Sequence, residues 1–80
     1  MQKSVFSHRQ QVLASLLRQV RKELGLRQVD VAERLQEPQS FVSKYESGER
    51  RLDLPELEQI CGAMGITLST LVLRYEESDG

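Results

Sequence analysis

Gln39, Ser40, Ser43 and Lys44 stand near the middle of an 80-residue chain, at i, i+1, i+4 and i+5. On a helix that spacing gathers them on one side. A glutamine amide can match adenine N6 and N7 together, and a lysine can donate to guanine O6 and N7. The chemistry this set offers is recognition of base edges. Arg27, Gln28, Arg50 and Arg51 flank it and suit phosphate oxygens, which set position without reading sequence. The start of the helix at Gln28 would add free backbone N–H groups and a positive dipole end.

Bond-making chemistry has no comparable set. His8 is the single histidine and Cys61 the single cysteine. No serine or cysteine stands in a recognisable nucleophile motif, and the acids read as solvated, capping or paired groups. We therefore expect no catalytic residues, no metal and no cofactor. Cys61 falls in an apolar helical pattern and reads as a buried inert thiol.

Several short helices must hold the reading residues. Val12, Leu13, Leu16, Leu17, Val20 and Leu24 recur at three- and four-residue steps from His8 or Arg9 onward, with Gly25 as the stop. A second helix is expected from about Gln28 to Leu35, with Val31, Ala32 and Leu35 inward. Gln36-Glu37 makes a corner, and Pro38 suits the first turn of a third helix that runs to about Ser47. Val42 and Tyr45 point inward there, and Phe41 reads as core more than as a thymine-methyl contact. Asp53 and Glu56 form a capping box for a fourth helix, whose inner face is Leu57, Ile60, Cys61 and Met64. Thr67 caps a fifth, with Leu68, Leu71, Val72 and Tyr75 on one face. The expected layout is a flexible extension over residues 1–7, one DNA-binding domain over 8–75 and a polar tail over 76–80.

RKELGLRQVDVAERL, SFVSKYESGERR and LPELEQICGAMGITLSTLV together resemble the Xre/Cro-repressor family, across roughly Leu17 to Tyr75. Gln28 opening the second helix, Ala32 at the helix crossing and the Glu46-x-Gly48-x-Arg50 ending carry the likeness. The resemblance implies an all-α, five-helix, lambda-repressor-like DNA-binding fold, with the helix-turn-helix formed by helices 2 and 3. It implies base contacts from Gln39, Ser40, Ser43 and Lys44, and phosphate or positioning contacts from Arg27, Gln28, Arg50 and Arg51. It also implies a semi-buried structural ion pair between Arg21 and Glu46. Two departures stand out. Arg27 replaces the family's usual Ser or Thr cap, a loss of about 1 kcal/mol. Gln36 replaces a common corner glycine, which costs about 1 kcal/mol or more if φ is positive there.

The net charge is −1, yet it is unevenly spread. Residues 1–52 hold ten cations against six acids, net +4, and residues 53–80 hold one cation against six acids, net −5. Such polarity lets one side press on phosphate. No apolar run reaches the ~18 residues a membrane span needs, and no signal-peptide pattern opens the chain; a cytoplasmic protein without membrane contact is expected. The expected partner is double-stranded DNA, bound as a repressor by a homodimer on a near-palindromic operator. Leu73, with Val5 and Phe6, is the candidate dimer interface. The competing function is an antitoxin or a restriction–modification controller that binds DNA and a protein partner; the acidic half would then receive a basic toxin.

Overall fold

The computed structural model describes residues 7–78. They form α1 (His8–Glu23), α2 (Gln28–Leu35), α3 (Gln39–Ser47), α4 (Leu54–Met64) and α5 (Leu68–Glu77). Val5 and Phe6 lie outside the described residues.

Each helix begins and ends for a local reason. Ser7, the last residue of the expected extension, caps α1 by accepting from the Gln10 N–H at 3.2 Å. At α2 the missing Ser/Thr cap is offset from inside the helix. Asp30 accepts the Arg27 backbone N–H at 2.7 Å and both arms of the Arg27 guanidinium, at 3.1 and 2.8 Å. Those bonds pull the Asp30 carboxyl down to about 2. The expected box at α4 forms, with Glu56 N–H donating to Asp53 at 2.8 Å and Asp53 N–H to Glu56 at 2.9 Å. Thr67 caps α5.

The corner between α2 and α3 needs a left-handed residue. Gln36 supplies it at φ 58°, the sole non-glycine with positive φ among the described residues. Pro38 is displaced by one position from the expectation. It stands before α3 with extended ψ 156° as the N-cap, and its carbonyl accepts from Phe41 N–H at 2.9 Å. A proline lacking an N–H is harmless at either position.

The core draws on all five helices: Leu16, Leu17, Val20, Val31, Ala32, Val42, Tyr45, Ile60, Cys61, Met64 and Leu71. Ala32 is buried in α2, which packs on both α3 and α4, and a small side chain permits that approach. Two residues depart from the periodicity. Leu24 is exposed because it stands one residue beyond α1, past the last covered turn, and Val72 is exposed at the open edge of α5. Burial pushes the Cys61 thiol and the Tyr45 phenol up from their ordinary values.

Candidate nucleic-acid interface

The site is built outward from a buried charge. Arg21, in the last turns of α1, donates Nε to Glu46 Oε2 at 2.7 Å and Nη2 to Glu46 Oε1 at 3.0 Å. The two side chains are 10% and 3% exposed, so the pair is buried. Its third arm, Nη1, donates to the Leu26 carbonyl at 2.8 Å and ties down the loop into α2. The hydrogen bonds to Glu46 hold the Arg21 guanidinium above its ordinary value.

Glu46 has a third donor. Gln28 Nε2 reaches Glu46 Oε1 at 3.0 Å, and Gln28 Oε1 accepts from Gln39 Nε2 at 3.1 Å. A continuous chain thus runs Arg21–Glu46–Gln28–Gln39, from the core to the exposed first residue of α3. The link from Gln28 to Glu46 had no signal in the sequence. The residues are 18 apart, and only the crossing of α2 over α3 brings them together.

Gln39, Ser40, Ser43 and Lys44 are all exposed, while Val42, Tyr45 and Glu46 of the same helix are buried. One open cleft of about 480 Å³ borders Gln39 and Gln28 and is also lined by Lys22 and Arg27. Another, also about 480 Å³, is lined by Ser40, Lys44 and Arg50 on the other flank of α3. Lys22 was not singled out by its sequence, because a lysine late in an amphipathic helix looks like an ordinary solvated residue.

The nominated cations divide in two. Arg27 is engaged with Asp30. Arg50 grips Glu56 with two bonds, at 3.2 and 2.8 Å, donates to the Arg51 carbonyl, and lies 4.8 Å over the Phe41 ring. Both arginines therefore have intramolecular partners that a phosphate contact must share or displace. Arg51 and Lys44 form no ion pair among the described residues. Phe41 is half-buried, edge-on to Tyr45 at 5.5 Å, which makes it a packing residue.

A helix-turn-helix family model matches residues 17–71, most of the chain. An XRE-family like protein from Pseudomonas syringae pv. tomato is 42% identical, with a TM-score of 0.79 over 86% of this chain and 84% of that one. This chain belongs to the XRE-type helix-turn-helix family. Two further solved structures share the fold. The clp gene regulator ClgR of Corynebacterium glutamicum is 21% identical, with a TM-score of 0.81 over 90% of this chain and 94% of that one. The restriction–modification controller protein C.Esp1396I, solved as a tetramer in complex with its natural 35-base-pair operator, is 20% identical, with a TM-score of 0.83 over 89% and 93%. No curated protein matches the chain.

The XRE-type fold also accounts for residues with no sequence-level role. Arg9 donates to the Tyr75 hydroxyl at 3.0 Å, with its guanidinium carbon 4.3 Å from the ring centroid, and Arg74 makes a two-bonded pair with Glu23. These bonds pin α5 across α1. No sequence pattern exposes pairs 66 and 51 residues apart. On the outer side of α5, Leu73 is 57% exposed and Val72 is 39% exposed. An apolar groove of about 240 Å³ lies beside them, lined by Leu13, Leu57, Leu71, Val72 and Tyr75. Among the described residues no helix is long and apolar enough to cross a membrane.

Proposed function

We propose that this XRE-type protein is a sequence-specific transcription regulator that binds double-stranded DNA with a helix-turn-helix formed by α2 and α3. The observation that carries the reading is the contrast within α3. Its outer face is wholly polar and exposed, and Gln39 on that face is held by a hydrogen-bonded chain rooted in a buried ion pair. A solvated face with no ligand has no need of such anchoring, whereas base readout needs a preset amide. The fold shared with a controller solved on its operator supports the same reading.

In this reading Gln39, Ser40, Ser43 and Lys44 read bases. Gln28, Arg51 and the first N–H groups of α2 hold phosphates. Arg27 and Arg50 chiefly brace α2 and the α3–α4 turn and add positive field. The protein acts as a repressor by occupying a promoter. One recognition helix spans few base pairs, so two copies bind half-sites about 34 Å apart. They meet through α5, where Leu73, Val72 and the adjoining groove supply apolar surface.

Selection of bound duplexes from a random pool, followed by salt titration on the winner, tests this. Lys44→Ala should relax preference at one base pair by about 1–3 kcal/mol. Arg51→Ala should weaken all sequences alike and lower the salt slope by about one. Absence of binding to any duplex in dilute salt refutes the proposal.

A further inference from the structure

We propose that Asp30 limits how tightly this site holds DNA, by keeping Arg27 in an intramolecular pair that a phosphate must break. The inference rests on the DNA-binding reading above and adds what sets the affinity of that site.

Arg27 stands just before α2, on the cleft that also holds Lys22, Gln28 and the exposed Gln39 of α3. Its side chain is 76% exposed, so the fold does not screen it from a docked duplex. Its charge is nevertheless already matched. Asp30 Oδ2 accepts from Arg27 Nε at 3.1 Å, and Asp30 Oδ1 accepts from Nη2 at 2.8 Å. That two-bonded edge is the one an arginine presents to a phosphate. The other N–H groups of the guanidinium stay open. A phosphate brought to them meets a cation that a neighbouring carboxylate already balances.

The comparison with Arg50 shows why the effect belongs to Asp30. Arg50 is gripped by Glu56 in the same two-bonded way, but it also donates to the Arg51 carbonyl and lies over the Phe41 ring. Neutralising Glu56 would leave Arg50 anchored. The Arg27 guanidinium has Asp30 as its one hydrogen-bond partner among the described residues. Asp30 stays ionised at neutral pH, because the Arg27 guanidinium and backbone N–H hold its carboxyl at about 2. Phosphate contacts add affinity without reading sequence. Withholding one weakens every duplex alike and leaves the base contacts to decide between sites.

The test is a double-mutant cycle in the full chain. Asp30→Asn keeps an oxygen for the Arg27 backbone N–H, and it removes the charge and the bond to Nη2. What then remains to the guanidinium is one neutral bond, which a phosphate displaces. The parent, Asp30→Asn, Arg27→Gln and the double variant are each titrated over a salt series. The ligands are the operator selected from a random duplex pool and an unrelated duplex. Loss of a nearby negative charge alone tightens binding by the same factor with or without Arg27. Release of Arg27 adds a gain that needs Arg27. Asp30→Asn should therefore tighten binding to both duplexes and steepen the salt slope. Its gain in the parent should exceed its gain beside Arg27→Gln by roughly two- to fivefold, the worth of an exposed ion pair.

Equal gains in the two backgrounds, or no gain in the parent, overturn the inference, because Asp30 then acts as a bare charge or as a helix cap only. A gain confined to the selected operator overturns it too, since a backbone contact does not tell sequences apart. Thermal melts followed by circular dichroism show that each variant folds. Should Asp30→Asn fail to fold, Asp30→Ser, also uncharged and with a hydroxyl to accept, takes its place in the cycle with the same expected and overturning results. A parent that binds duplexes without the coupling sinks this inference alone. A parent that binds no duplex sinks the DNA-binding reading itself.

Discussion

Arg21→Met should be among the most damaging single substitutions in this chain. Methionine fills similar volume, so packing loss is minor. The electrostatic loss is not. Glu46, at 3% side-chain exposure, would lose two of its three donors, and the Leu26 carbonyl would lose its guanidinium partner. Stranding one member of a buried pair costs about 3–5 kcal/mol. An 80-residue domain has on the order of 4–12 kcal/mol in total. The variant should therefore sit near or beyond the edge of folding at 25 °C, as read from urea denaturation followed by circular dichroism. Replacing both partners, as Arg21→Met with Glu46→Leu, removes the stranded charge and should recover a large part of the loss. Arg21→Met costing less than about 1 kcal/mol would refute the claim that this pair anchors α1 to α3.

Gln36→Gly should raise stability by about 0.5–1 kcal/mol, because a left-handed L-residue is relieved and only part of the gain is returned as glycine entropy. That corresponds to roughly 2–8 °C in Tm, and a lower Tm would count against the corner geometry. Acid should destabilise the fold gradually. Arginine partners and backbone N–H groups hold Asp30 at about 2, and Glu23 and Glu56 below their usual range. The unfolded chain binds those protons first, so their contribution is complete above about pH 5 and is lost as pH falls toward 2; a pH series of urea midpoints checks this. Leu73→Glu should shift self-association toward monomer in sedimentation equilibrium and weaken binding to a two-half-site duplex while leaving Tm little changed. An unaltered association constant would exclude α5 as the contact.

Periodicity and punctuation were enough to place the five helices, since each obeys a local rule. The inner faces repeat at three and four residues, glycines follow three of the helices, and Asp53-x-x-Glu56 and Thr67 make caps that involve near neighbours only. The same locality placed Gln39, Ser40, Ser43 and Lys44 together, because four residues on one turn-and-a-half of helix share a side whatever surrounds them. Pro38 fell one place from its expected position because two adjacent positions tolerate a missing N–H equally well.

Contacts between distant residues had no such rule. Whether Arg50 meets solvent or Glu56 depends on how the turn after α3 folds back on α4, and its type and charge are the same in both cases. Arg9 on Tyr75 and Arg74 on Glu23 exist because α5 crosses α1. Most of all, residue types alone said that Gln39 could read a base but not that Gln28 would hold its amide. Hydrogen bonds are directional, and the direction is inherited along the row from a carboxylate that can only accept. Three helices had to converge before that row existed, so its polarity is a property of the tertiary structure.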